Sequence, residues 1–136
     1  MLWINWRDSV PAEVRQAAEP IIDKWKHRLP HWLLEVCVYF TGNDGNNCSI
    51  TTEYEYRRVA LFIHLGWLHG TERDREEDLV HEFAHVFLAR PKATIDSLID
   101  RLLEKDPVFQ SWARDEIRRA VEGTVCDITH IILHRE

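Results

Sequence analysis

The chain has little cysteine, methionine, glycine or proline, no surplus of positive charge and no long apolar run. Its 136 residues include three Cys, one Met, five Gly and five Pro. Cys37, Cys48 and Cys126 form an odd set without paired spacing. That pattern predicts reduced thiols in a cytoplasmic setting rather than a disulfide framework. No C-x-x-C occurs, so a zinc ribbon is excluded. No stretch approaches the ~20 apolar residues of a membrane span. Met1 to Trp6 has neither the basic start nor the apolar run of a secretion signal. Seventeen Lys and Arg stand against 23 Asp and Glu, a formal net charge of -6, which argues against a nucleic-acid groove. The expectation is a cytoplasmic protein with neither membrane nor nucleic acid as partner.

What is present is apolar bulk. Hydrophobic residues make up 45% of the chain, with six Trp, enough for a packed core and for one domain over residues 1–136. Periodicity predicts an α+β fold. A helix is expected from Pro11 to about His27, with Val14, Ala17, Ala18, Ile21, Ile22 and Trp25 as its apolar face, and Pro20 is expected to kink or split it. A strand follows at Trp32 to Phe40, with Leu34, Val36, Val38 and Phe40 on one face. Thr41 to Asn47 reads as a turn. Cys48 to about Tyr56 and Arg58 to about Leu65 then read as two strands or one bent strand. The nearly continuous apolar run Val59–Ile63 marks the second as central or covered on both faces.

After a loop at Gly66–Gly70, a helix is expected from Thr71 to about Ala89, stopped by Pro91. Another is expected from Ala93 to Lys105, broken at Asp106-Pro107. A long final helix runs from about Val108 to His134, with Phe109, Ala113, Ile117, Val121, Val125, Ile128 and Ile132 as its apolar stripe. The sum is a small twisted mixed sheet of about three strands with an N-terminal helix, a central helix and a long C-terminal helix.

The central helix carries His81-Glu82-Phe83-Ala84-His85, an H-E-x-x-H motif. Residues four apart share a helix face, so both imidazoles can point at one metal ion. Glu82, on the flank of that face, can take a proton from a water on the metal without being a ligand. Val80, Phe83, Ala84 and Phe87 form an apolar stripe beside the pair, the mark of a half-buried helix.

A catalytic zinc ordinarily takes three protein ligands. The metzincin extension needs Gly at position 88 and His at position 91, and the chain has Leu88 and Pro91, so the third ligand must come from elsewhere. The final helix offers Glu116, Glu122, Cys126, Asp127, His130 and His134. Glu122 is the first choice, because it borders the apolar stripe beside Val121 and Val125. Gly123 next to it would let another backbone approach closely. Glu116 and His130 follow, Cys126 is a further ligand type, and Asp127 is a candidate to orient a liganding imidazole.

With these residues in view, the chain resembles a minimal zincin, a gluzincin-like metallopeptidase of the small kind encoded by phages and prophages. The resemblance rests on the strand at Trp32–Tyr39, Tyr56 to Ile63, Leu79 to His85, and Val121 to Val125. It implies one Zn2+ per chain held by His81, His85 and Glu122, Glu82 as general base, and a peptide or protein substrate. It also implies a helix over a small sheet, with the metal helix on the sheet's other side or edge. The substrate would add to an edge strand at residues 48–56. Where larger gluzincins carry Asp four residues after the liganding Glu, this chain has Cys126. Tyr54, Tyr56, His64 and His130 are candidates for stabilising the transition state. A metal-bound binding or regulatory module of a phage, with little turnover, is the rival expectation.

Overall fold

The computed structural model describes residues 1–42 and 47–133. Most of the expected turn at 41–47 falls outside them, as does His134. Seven principal elements follow in chain order: β1 (Trp3–Trp6), α1 (Ala12–Trp25), β2 (Glu35–Thr41), β3 (Cys48–Glu53), β4 (Arg58–His64), α2 (Glu72–Leu102) and α3 (Pro107–Ile132). The fold is α+β, with a mixed four-stranded sheet in the order β1-β2-β4-β3. β1, β2 and β4 are parallel, and β3 runs antiparallel to β4 at one edge.

The fourth strand corrects the expectation of three. Trp3-Ile4-Asn5-Trp6 is too short for a clear alternation, and its pairing is long-range, Ile4 opposite Val36 and Trp6 opposite Val38. β4 is central, as its apolar run predicted: Val59, Leu61 and Ile63 are buried on one face and Ala60 on the other. β3 and β4 are separate strands. The turn between them passes through Arg57 in the left-handed region, φ 55°. That conformation costs a non-glycine residue ~1 kcal/mol. Arg57 Nε donates to the Trp32 carbonyl at 2.9 Å, and its own carbonyl accepts from Leu34 N–H at 2.7 Å, bonds that offset the cost.

Val14, Ala18, Ile22 and Trp25 of α1 share one core with Val36 and Val38 of β2, with Val59, Leu61 and Ile63 of β4, and with Leu79, Val80, Phe83 and Val86 of α2. α1 and α2 therefore cover the same face of the sheet. α2 reaches the β3 edge from that side rather than lying on the other side. α1 continues through Pro20. Pro20 is exposed, so the carbonyl it leaves unbonded meets water rather than the core.

The larger departure is α2. One helix of 31 residues replaces the two expected, with Pro91 inside it. Pro91 is also on a solvent-facing side. Ile95, Ile99 and Leu103 extend the inward face beyond it, so packing against α3 offsets the ~3 kcal/mol cost of an internal proline. At 1.5 Å per residue α2 is ~46 Å long, about twice a seven-residue strand. Its second half outruns the sheet and pairs with the antiparallel α3 as a two-helix hairpin. Thr71 starts α2 in a capping box, its hydroxyl accepting from Asp74 N–H at 3.1 Å while Asp74 accepts from Thr71 N–H at 3.3 Å. Asp106 caps α3 through Phe109 N–H at 3.0 Å, with Pro107 in its first turn.

Candidate metal centre and cleft

α2 sets His81 and His85 one turn apart, their rings edge to face at 5.2 Å. α3 brings Glu122 to them. Its Oε1 lies 2.9 Å from His85 Nε2 and its Oε2 3.4 Å from His81 Nε2. The three residues each offer a ligand atom within 4.8 Å of the others. The register of α3 explains the meeting. Val125 and Thr129 are buried against the domain, and the Thr129 hydroxyl is satisfied by the Val125 carbonyl at 2.8 Å. Glu122 stands a quarter-turn round from Val121, on the side facing the imidazoles. Two imidazole nitrogens and one carboxylate are the donor set of a zinc hydrolase site. Neighbouring ligands of one tetrahedral ion sit ~3.4 Å apart, so the two His–Glu122 distances suit a shared ion.

Glu82 faces the same space from beside the ligands. Burial pushes its carboxyl up to about 7 from the ordinary 4.5, and the charges of Glu122 and Asp78 push the same way. Ile50 N–H of β3 donates to it and opposes the shift. The result is a carboxyl whose proton is exchangeable near neutrality, the property a general base needs. Burial lowers the proton affinity of His85, with Glu122 opposing and His81 and Lys92 assisting. That favours the neutral imidazole a metal requires. Burial raises the Asp78 carboxyl, opposed by a hydrogen bond from Asn47. It also raises the Cys48 thiol, with Asp78 and Glu82 adding to the effect, so Cys48 is packing rather than a thiolate.

Between β3 and α2 lies a cleft of about 550 Å³, bounded by Ile50, Thr52 and Tyr54 on the strand side and by Glu82, His85 and Lys92 on the helix side. His85, Ala89, Lys92 and Asp96 line it at one-turn intervals, and Lys92 holds Asp96 at 2.8 Å. Tyr54 is fixed between the Trp32 ring at 4.8 Å and the Arg90 guanidinium at 5.8 Å. β3 is the edge strand, over Cys48–Glu53, with Tyr54–Tyr56 forming a turn instead of its end. In an antiparallel strand alternate residues aim their backbone groups the same way. Because Ile50 N–H turns away from β4 to Glu82, Thr52 also presents its N–H and C=O to the cleft.

The other expected residues do not join the cluster. Glu116 pairs with Arg119 at 3.0 Å, and Cys126, Asp127 and His130 are exposed on α3. Gly123 has open space where a side chain would be, so no backbone approaches it, contrary to expectation. Tyr56 is exposed. His64 Nε2 lies 3.2 Å from the Ser49 hydroxyl, and its Nδ1 is buried without a partner among the described residues. Sequence reasoning missed Ile50, Asp78, Lys92 and Asp96. The spacing 85, 89, 92, 96 was a readable signal for the last two, hidden by the break assumed at Pro91.

Comparison with known proteins finds no matching family, no significantly similar curated protein and no solved structure of significant likeness.

Proposed function

We propose that this chain is a zinc-dependent peptidase of the minimal, gluzincin-like zincin kind. The observation that carries the reading is the arrival of Glu122, on the next helix and more than thirty residues beyond His85, against both imidazoles of the H-E-x-x-H turn. His81, His85 and Glu122 would hold a Zn2+ ion, which would supply a Lewis acid to polarise a carbonyl and ease the deprotonation of water. Glu82 accepts the proton of the attacking water and passes it to the leaving amine. Burial raises its carboxyl in the metal-free site, and a dication held beside it would draw it back toward the ionised form the step needs. Ile50 N–H keeps the carboxylate pointed at the cleft. The free edge of β3 holds an extended peptide by main-chain hydrogen bonds, with Thr52 as the nearest open position. An open groove beside the ligands, rather than a closed cavity, favours a peptide over a small-molecule amide.

Elemental analysis of protein purified without chelator, alongside mass spectrometry of a diverse peptide mixture, tests this reading. Wild type should carry one zinc per chain and cleave. Glu122→Ala should lose most of the zinc, and Glu82→Gln should keep it and lose cleavage. A folded wild type that takes up no zinc, or a Glu82→Gln protein that still cleaves, refutes the proposal.

A further inference from the structure

The cleft extends well past His85, and its far end is built differently from its near end. β3 and α2 border it side by side and run in the same direction, with Ile50 meeting Glu82 and Tyr54 meeting Arg90. Four residues of extended chain span ~13 Å and eight of helix ~12 Å, so the two walls keep pace. On the helix wall His85, Ala89, Lys92 and Asp96 fall within ~60° of one another, on one face. Ala89 is small, so the groove stays open between His85 and Lys92. On the strand wall β3 ends at Glu53, and Tyr54–Tyr56 form a turn. Main-chain pairing therefore runs out near Tyr54, and any further hold on a peptide must come from side chains.

We infer that Lys92 is a specificity-determining residue of this cleft, and that the peptide it selects carries a carboxylate about three residues from the bond presented to His81, His85 and Glu122. The inference rests on the peptide-cleft reading above. Charge is the first argument. Among the described residues that line the cleft, Lys92 is the one lysine or arginine, against the carboxyls of Glu82, Asp96 and Glu122. A substrate carboxylate meets like charge beside those three and an ammonium beside Lys92. Reach is the second. Lys92 lies ~10.5 Å beyond His85 along the helix axis, and Asp96 ~16.5 Å. At ~3.4 Å per residue of extended chain, the shorter distance is about three residues. A peptide leaving His85 thus meets the ammonium before it meets Asp96. Availability is the third. Lys92 Nζ donates to Asp96 Oδ2 at 2.8 Å, which uses one of its three donors and tethers the long side chain at the groove. That side chain is still 43% exposed, so a second acceptor can reach it. The carboxylate belongs either to an acidic side chain or to the C-terminus of a short peptide. The terminus requires a peptide running parallel to β3, ending at the far end of the cleft.

Isothermal titration of short, N-acetylated alanine peptides into the full chain tests this, with chelator present so that nothing is cleaved. One peptide ends in a free carboxylate and one in an amide, and two further amidated peptides carry a single internal Glu or Gln. The wild type should bind the free acid, the Glu peptide or both about tenfold more tightly than the neutral counterpart, the worth of one charged hydrogen bond partly open to water. The free-acid arm reads a chain terminus and the Glu arm a side chain. Lys92→Met should abolish the preference and Lys92→Arg should retain it, both with the circular dichroism of wild type. Asp96→Asn should enlarge it, because the ammonium is then no longer shared; a loss there would move the selectivity to Asp96 and overturn the assignment. Equal affinity for all the peptides, no binding by any of them up to about 1 mM, or a preference that survives Lys92→Met also overturns it. Neither zinc uptake nor cleavage is the readout. A failure of the zinc reading leaves this result standing, and a failure here leaves zinc content and turnover unaffected.

Discussion

Glu82→Gln should stabilise the metal-free protein while it abolishes cleavage by the zinc form. The buried carboxyl is raised from 4.5 to about 7, so folding favours its protonated form. Below pH 4.5 the folded and unfolded chains both carry this proton. Between 4.5 and 7 the folded state holds a proton that the unfolded state has released, and stability therefore falls as pH rises through that window. At ~1.4 kcal/mol per pH unit, the loss is ~3 kcal/mol and is complete above pH 7. Gln keeps the shape and can still accept from Ile50 N–H, but it has no charge to desolvate. In chelator-treated protein, urea unfolding of wild type and variant should agree at pH 4 and diverge steadily to pH 8. There the variant should be ~3 kcal/mol more stable, a rise in Tm on the order of 10 °C. Parallel stability curves over that range would refute the claim that Glu82 is a strained, buried base.

Two further substitutions probe the scaffold around it. Thr52→Pro removes an N–H that faces the cleft and not β4, so the β3–β4 ladder should survive. Zinc content should be unchanged, while kcat/KM for peptides falls ~5- to 10-fold, the worth of one main-chain hydrogen bond; equal kcat/KM would argue against strand addition at this edge. Thr71→Ala breaks the capping box at the start of α2 and should cost ~1 kcal/mol in urea unfolding without altering zinc stoichiometry. A loss of zinc there would mean that the ligands depend on the helix terminus rather than on packing against α3.

The candidate site was legible from the sequence to the extent that its logic is local. The one-turn spacing of His81 and His85, and Glu82 beside them, follow from helix geometry alone. Glu122 was reachable because Val121 and Val125 mark an inward face, and a residue next to such a face can turn toward its neighbour. The reasoning given for Gly123 was unneeded, since the helix surface there is open. What stayed hidden depended on partners distant in sequence. β1 exists by pairing with β2, a contact that four residues cannot advertise. α2 passes Pro91 because α3 lies along it. A proline on a solvent face costs less than its propensity suggests, and the same holds at Pro20. The strand run Val59–Ile63, by contrast, announced its central position: Val59, Leu61 and Ile63 fill the face under the helices, and Ala60 is buried on the other between neighbouring strands.

The bond from Ile50 N–H to Glu82 has a consequence for how a peptide would be indexed. It occupies one of the few free donors on the β3 edge, so an added strand cannot use that position and must begin its ladder at the Ile50 carbonyl and Thr52. Ladder positions recur every two residues, ~6.8 Å apart. A peptide shifted by one step would still find hydrogen bonds, but it would present a different amide to the three ligands. With Ile50 already engaged, the alignments that would bring a peptide bond to Glu82 are reduced in number, so under the proposed function the carboxylate meant to move the proton would also help decide which bond is cut.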